Sequence, residues 1–213
     1  MPRPSRWDDV VATAAKVFRA RGFAAASLDE IAGSLGMSKG SLYNYVSSKE
    51  ELLEAVVGPP ADELLTTLRR LAGTDLPASE KLRRVTRIHV SVLERTFDFA
   101  AVYLHEVAGR GLGDEWTSKD HEYVTLIEDI LRSGVDEGLF DPGLDILVSA
   151  MALIGALNWL TRWWHVEGPI SASTIADRIS DVFLAGLLSR EPAGPTPDAA
   201  LAPDAGPTPD AAS

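Results

Sequence analysis

The chain has 213 residues, enough for one large or two small domains with a real core. It has no cysteine, which excludes a disulfide framework, thiol catalysis and thiolate metal sites. Net charge is −11, a poor match for a nucleic-acid binder, but it is unevenly spread: residues 1–50 carry net +2 and the remainder net −13. Any surface for phosphate therefore belongs to the N-terminal part, with the acidic bulk held away from it. The opening MPRPSRWDDV lacks the apolar run of a secretion signal, so a cytoplasmic protein is expected.

Trp7, Val10, Val11, Ala14, Val17 and Phe18 recur at helical spacing, so residues 7–21 read as an amphipathic helix that ends with Arg19 and Arg21 before Gly22. Ser27 and Glu30 form a capping box, and Leu28, Ile31, Ala32 and Leu35 give the next helix its buried face. Gly36 suits a left-handed helix end, and Ser38 caps a further helix after only Gly36 and Met37. That is helix-turn-helix spacing, with residues 7–21 as the third wall over Ile31, Leu35 and Leu42. In the second helix Leu42 is the inward anchor, while Ser38, Lys39, Gly40 and Ser41 are small, polar or basic. Gly40 costs a helix about 1 kcal/mol against alanine, which makes sense where a phosphate or base edge approaches the backbone. Tyr43, Asn44 and Tyr45 add hydroxyl and amide groups. Ser48 with Glu51 starts another helix, and Lys49 adds a charge.

These residues resemble the DNA-binding signature of the TetR family of bacterial transcription regulators. The resemblance is carried by Ser27-Leu28-Asp29-Glu30-Ile31-Ala32, Gly36-Met37-Ser38-Lys39-Gly40-Ser41-Leu42-Tyr43 and Ser48-Lys49-Glu50. The sequence departs from the family's tyrosine-x-histidine-phenylalanine run. Tyr45 stands where histidine is common, leaving one phosphate contact open, and Val46 where phenylalanine is common, giving a smaller local core. The resemblance implies an all-α protein: a three-helix DNA-binding domain over residues 1–50 and a larger helical ligand-binding and dimerisation domain over 51–190. It implies contact with double-stranded operator DNA through Ser27, Ser38, Lys39, Gly40, Ser41, Tyr43, Asn44, Tyr45 and Lys49.

Further along, a helix from Ser48 is expected to stop near Val57 at Gly58-Pro59-Pro60 and restart at Ala61. In the TetR family this connecting helix carries motion between domains, so the break reads as either a hinge or a fixed kink. Residues 78–96, 97–108 and 114–137 each show helical apolar spacing, and no stretch alternates as a strand would. Gly109-Arg110-Gly111-Leu112-Gly113 is read as a loop, since its spacing is wrong for a dinucleotide fingerprint. Asp141-Pro142 is expected to open a helix to about His165 that is apolar nearly all round and therefore buried on all faces. Asn158, Thr161 and Arg162 interrupt it, which argues against a membrane span. A last helix carries Ile175, Ile179, Val182, Phe183 and Leu187. The terminal pair resembles the TetR family's dimer-forming helices, which implies a homodimer meeting at Ala152, Gly155, Ala156, Ile179 and Phe183. AGPTPDAA at 193–200 recurs at 205–212, and residues 191–213 are expected to be a disordered tail.

Two function classes are compatible with a helical chain of this length. For an enzyme, His89, His105, His121 and His165 are scattered without ligand or triad spacing, so each is read as a satisfied polar group near the core; no catalytic residue, metal or cofactor is expected. For a regulator, residues 140–188 are similar to the C-terminal domain of TetR-family members that sense acyl-CoA thioesters in lipid and steroid catabolism. That similarity implies a repressor released by a fatty or steroid acyl-CoA held by Tyr103, Asn158, Trp159, Arg162 and Trp163. Indoles beside a guanidinium suit an apolar body with an anionic group. The same tryptophans would equally serve to pack a dimer core, with Arg162 paired to an acidic neighbour. A repressor of multidrug efflux is the alternative within the family.

Overall fold

The computed structural model describes residues 6–104 and 114–188, and every element named below lies among them. Three short helices open the chain: α1 (Arg6–Arg21), α2 (Leu28–Ser34) and α3 (Lys39–Leu42). Each boundary has a local cause. Asp8 and Asp9 sit in the first turn of α1 and Arg19 and Arg21 in its last, opposite the helix dipole. The Ser27 hydroxyl accepts the Glu30 amide at 3.1 Å, and the Ser38 hydroxyl accepts the Ser41 amide at 3.1 Å. Only half of the expected capping box at Ser27 forms, because the Glu30 carboxylate accepts from Arg21 Nε instead, at 3.1 Å. Gly36 takes φ +63°, which lets the Met37 amide reach back to the Ala32 carbonyl at 2.9 Å and close α2. Val10, Ala14, Phe18, Ile31, Ala32, Leu42 and Val46 form the buried centre of this unit.

The next helix, α4, runs without interruption from Lys49 to Ala72, with Pro59 and Pro60 inside it. The expected stop at Val57 and restart at Ala61 are therefore corrected. Proline crowds its predecessor's Cβ and amide in the α region; before Pro59 stands Gly58, which has no Cβ, and before Pro60 stands Pro59, which has no amide hydrogen and whose ring already holds φ near the helical value. The hydrogen bonds lost at 59 and 60 are outweighed by burial of Leu52, Leu53, Val56 and Val57 on one side of the prolines and Leu65, Leu68 and Leu71 on the other. The first group belongs to the N-terminal core, the second to the core that follows.

That second core is built from α5 (Ala78–Arg95), α6 (Phe97–Val102), α7 (Asp114–Asp136), α8 (Ile146–Asn158), α9 (Leu160–Trp163) and α10 (Ala172–Leu187). Leu82, Val85, Ile127, Leu131, Phe140, Leu153 and Leu157 are fully buried at its centre. A Cβ at Gly134 would lie 2.2 Å from the Phe140 ring, so glycine there is what admits the ring. Parts of the sequence reading fall outside the described residues: Val107, His105, the glycine-rich stretch 109–113 and the tail 191–213.

Two expectations for residues 141–165 are corrected. Asp141-Pro142 does not start a helix. Its amide donates to the Leu187 carbonyl at 3.0 Å and its carboxylate accepts the Gly143 amide at 2.8 Å, which makes a turn tied to the end of α10. The cap is Asp145, accepting the Val148 amide at 3.0 Å. The apolar helix is also not buried all round, and it breaks at Trp159 between α8 and α9. Ala150, Leu153 and Leu157 are buried, whereas Leu147, Val148, Met151, Ala152, Gly155 and Trp159 are exposed on the protomer. Val182, 71% exposed, lies on α10.

Pro59 is exposed, so its removal leaves the packing intact while returning an amide to the ladder. Pro59→Ala is expected to stabilise the protein by about 1–3 kcal/mol, the helix-interior penalty of proline less its entropic advantage. Thermal melting monitored by helical circular dichroism measures this; an unchanged or lower midpoint would mean that α4 is bent at residue 59.

Candidate functional site

The helix-turn-helix presents one open edge. Ser38, Lys39, Gly40, Tyr43, Asn44 and Tyr45 are all exposed, and Ser27 stands beside them at the start of α2. A Cβ at Gly40 would meet nothing closer than the Ser38 hydroxyl at 4.0 Å, so no internal contact demands glycine there. Lys39 Nζ lies 2.9 Å from Asp29, and that hydrogen bond holds its pKa above the ordinary lysine value. Ser41 is half-buried and shares a 2.9 Å hydroxyl contact with Ser38. Tyr45 stacks on Trp7 of α1, with ring centroids 6.5 Å apart.

Lys49 differs from the expectation made for it. Its ammonium donates to the carbonyls of Phe23, Ala24 and Ala26 at 2.7, 3.3 and 3.1 Å, and sits 4.5 Å from the centre of the Phe23 ring. The charge is thus turned inward, closing the α1–α2 loop onto α4 rather than standing open to a phosphate.

The second site is a cavity of about 290 Å³ between α4, α5, α6, α7 and α8. Its walls are mostly aliphatic, from Leu64, Leu65, Val92, Leu93, Val124 and Ile154, with polar groups in two places. In one, His89 Nδ1 and the Tyr123 hydroxyl are 2.7 Å apart. Burial pushes the imidazole down to about 4 and the phenol well above its ordinary value. In the other, the Tyr103 hydroxyl donates to the Asp120 carboxylate, whose pKa burial raises. Lys119, beside them, lies 2.9 Å from both Asp62 and Glu115 and stacks over Trp116. Burial works to lower its pKa, but the hydrogen bonds to those two carboxylates outweigh it and raise it.

Of the five residues expected to hold a ligand, the cavity gathers Tyr103 and Asn158. Trp159, Arg162 and Trp163 are corrected: they do not line it. Trp159 is 62% and Trp163 47% exposed, and the Arg162 guanidinium lies over the Trp159 ring at 5.9 Å. They continue the exposed stripe of α8: Met151, Gly155, Trp159 and Trp163 follow at four-residue spacing, all exposed, and Trp159 itself keeps helical backbone, φ −65° and ψ −17°. The residues that sequence reasoning missed are His89, Lys119, Asp120 and Tyr123. The signal available was a polar residue inside an apolar stripe: His89 follows Leu82 and Val85, and Tyr123 precedes Val124 and Ile127. Of the other histidines, His121 and His165 are exposed, which corrects their placement near the core.

Residues 10–56 match the profile described as "Bacterial regulatory proteins, tetR family", and residues 75–187 match "Tetracyclin repressor-like, C-terminal domain". The chain belongs to the TetR family of DNA-binding transcription regulators and is not an enzyme. It is 28% identical over 187 residues to the HTH-type transcriptional repressor KstR2 of Mycolicibacterium smegmatis, covering 86% of this chain and 91% of the relative. The Fatty acid metabolism regulator protein of Bacillus subtilis is 21% identical over 187 residues, covering 85% and 95%. Among solved structures, KstR2 of Mycobacterium tuberculosis, described as a ketosteroid transcriptional regulator, superposes with TM-score 0.83 at 23% identity over 88% and 97% of the two chains, a likeness of fold. AibR in complex with isovaleryl coenzyme A and operator DNA superposes with TM-score 0.71 at 25% identity over 86% and 98%.

The buried imidazole makes stability depend on pH. Between its ordinary value of 6.5 and about 4 the unfolded chain binds a proton that the folded chain refuses. Stability from this group is therefore complete above pH 6.5 and is lost as pH falls toward 4, by about 3 kcal/mol. Urea unfolding of wild type and His89→Phe across that interval is expected to show the wild type losing about that much more than the variant.

Proposed function

We propose that the chain is a homodimeric, cytoplasmic repressor that leaves a palindromic operator when a fatty or steroid acyl-CoA enters the cavity. One observation carries this reading: Val57 lines the cavity and is also fully packed in the N-terminal core, with Ala61 and Tyr103 likewise in both. A ligand that displaces these side chains acts directly on the packing beneath α2 and α3. A coupling of ~1–3 kcal/mol suffices for release. The repressor relatives support the sign, and the CoA-bound AibR structure supports the ligand class. The acyl body would occupy the cavity. Its CoA end would pass Asn158 to the outer face, where Arg162 makes no ion pair in the protomer among the described residues. The same face, with Ala152 and Gly155 exposed on α8 and Ile179 and Phe183 half-buried on α10, is the proposed dimer surface. Residues Ile146–Trp163 are apolar enough by composition to cross a membrane, and a partner copy gives that exposed face its cover instead.

On DNA, Lys39 exchanges Asp29 for a phosphate, and Ser27, Ser38, Gly40, Ser41, Tyr43, Asn44 and Tyr45 complete the surface. With fragments selected from a genomic pool, Lys39→Ala is expected to weaken binding and to flatten the salt dependence by about 0.9 in log–log slope per lost contact. Asp29→Asn, which removes both the competing partner and a repelling charge, is expected to strengthen binding. Anisotropy titrations across salt concentrations measure both, and unchanged slopes would move the phosphate contact off α3.

At Gly155 an added Cβ meets no heavy atom within 4 Å in the protomer. Gly155→Leu is therefore expected to leave the protomer's melting point in place while dissociating the dimer in sedimentation. An intact dimer in that variant would put the interface elsewhere.

For the effector, a panel of acyl-CoAs, free acids and cationic hydrophobic drugs is to be assayed for operator release. A CoA thioester with a bulky apolar acyl group is expected to release DNA, and Arg162→Met to need about tenfold more of it, the loss of one charge-assisted contact. Release by cationic drugs alone would make this a multidrug-efflux repressor. A normal response in Arg162→Met would keep the ligand class and discard that contact.

A further inference from the structure

Of the two polar pairs that line the cavity, the His89–Tyr123 pair is the more deeply buried, and neither the DNA surface nor the thioester uses it. His89 is 92% buried, on α5, and its Nδ1 faces the Tyr123 hydroxyl of α7 at 2.7 Å. Among the described residues, the imidazole's other nitrogen, Nε2, has no hydrogen-bond partner. Nor is any side-chain nitrogen or oxygen among the described residues sealed off without a partner, so Nε2 opens into the cavity that His89 lines. The pair has a fixed proton inventory. If the Tyr123 hydroxyl donates to Nδ1, the neutral ring keeps its proton on Nε2 and offers an N–H to the cavity. If Nδ1–H donates to the phenol oxygen, the Tyr123 O–H is left to offer. Either tautomer presents one donor, and both are neutral.

We infer that His89 and Tyr123 form a recognition site for a single uncharged oxygen, a ring ketone or hydroxyl, on the inner part of an otherwise apolar ligand. The surroundings select this class. Val92, Leu93 and Val124 beside the pair offer nothing polar to such an oxygen. A carboxylate would find no cation, since the imidazole stays neutral and Lys119 is already held by Asp62 and Glu115. A plain hydrocarbon would leave the Nε2 or O–H donor dry and unpaired when it displaced water, so the site discriminates against ligands that lack the oxygen. The inference rests on the cavity being the effector site, and the probes separate the two.

The test uses the full-length protein and two matched pairs: oxocyclohexylpropanoyl-CoA with cyclohexylpropanoyl-CoA, and phenylcyclohexanone with phenylcyclohexane. Binding is measured by calorimetry and by operator release. Wild type is expected to favour the ketone of a pair by about tenfold, the worth of one hydrogen bond to a group otherwise left unpaired. In the double variant His89→Phe/Tyr123→Phe the ratio is expected to fall to about one, with binding of the deoxygenated member retained. Removing both partners together avoids stranding one of them, so this variant is expected to fold; the single Tyr123→Phe serves as the second arm, lowering the ratio. A ketone preference in the CoA-free pair with no binding of either thioester would keep the dyad and overturn the acyl-CoA reading. Equal binding of both members by wild type, a preference that survives the double variant, or binding of no probe would overturn the inference.

Discussion

The structure depends on α4 being one rod. Twenty-four helical residues span about 36 Å, far enough to reach from the core beneath the DNA surface to the core around the cavity. Leu52, Leu53, Val56 and Val57 are fixed in the first, and Leu65, Leu68 and Leu71 in the second. A rod packed at both ends cannot shift at one end without strain at the other, because close-packed interiors resist small displacements. Pro59 and Pro60 sit where the two packings meet. They withdraw two hydrogen bonds at the one place where weaker axial stiffness would let the halves adjust.

A second tie runs beside the first. Arg19 of α1 pairs with Asp98 of α6 and lies over the Phe97 ring at 4.9 Å. Val102 and Trp116, from α6 and α7, are buried within the N-terminal core, and the Tyr103 ring lies 5.7 Å from that of Trp116. The exposed ion pairs contribute little to stability by themselves. The buried aromatic contact is different in kind, because it cannot be relieved by solvent. The two halves of the molecule therefore share a wall as well as a strut.

What could be read from the sequence was what local chemistry decides. Ser27, Ser38, Ser48, Gly36 and the apolar spacing around Ile31 and Leu42 act within a few residues, and each behaves as its type requires. The family signature in the same stretch was legible for that reason. The misses are long-range. Whether Pro59-Pro60 breaks a helix depends on Gly58 and on burial contributed by partners far along the chain. Asp141 could have capped a helix, but Leu187, 46 residues on, takes its amide. Lys49 looks like a phosphate contact until Phe23, Ala24 and Ala26 are folded beneath it. The indole cluster at 159–163 was chemically apt for a ligand, yet it continues the face of α8 that Met151 and Gly155 already expose, and which face packs inward is decided by α5 and α7.

The five tryptophans divide the molecule in a way that makes it legible to light. Trp116 and Trp164 are buried, Trp7 is half-buried under Tyr45, and Trp159 and Trp163 stand in solvent on the protomer. Buried indoles emit further to the blue than hydrated ones, so the protein carries separate native reporters. Trp116 monitors the wall between cavity and DNA surface, and Trp159 with Trp163 monitors whatever covers the α8–α10 face. Single-tryptophan variants would give the order in which those two regions respond, without any added label.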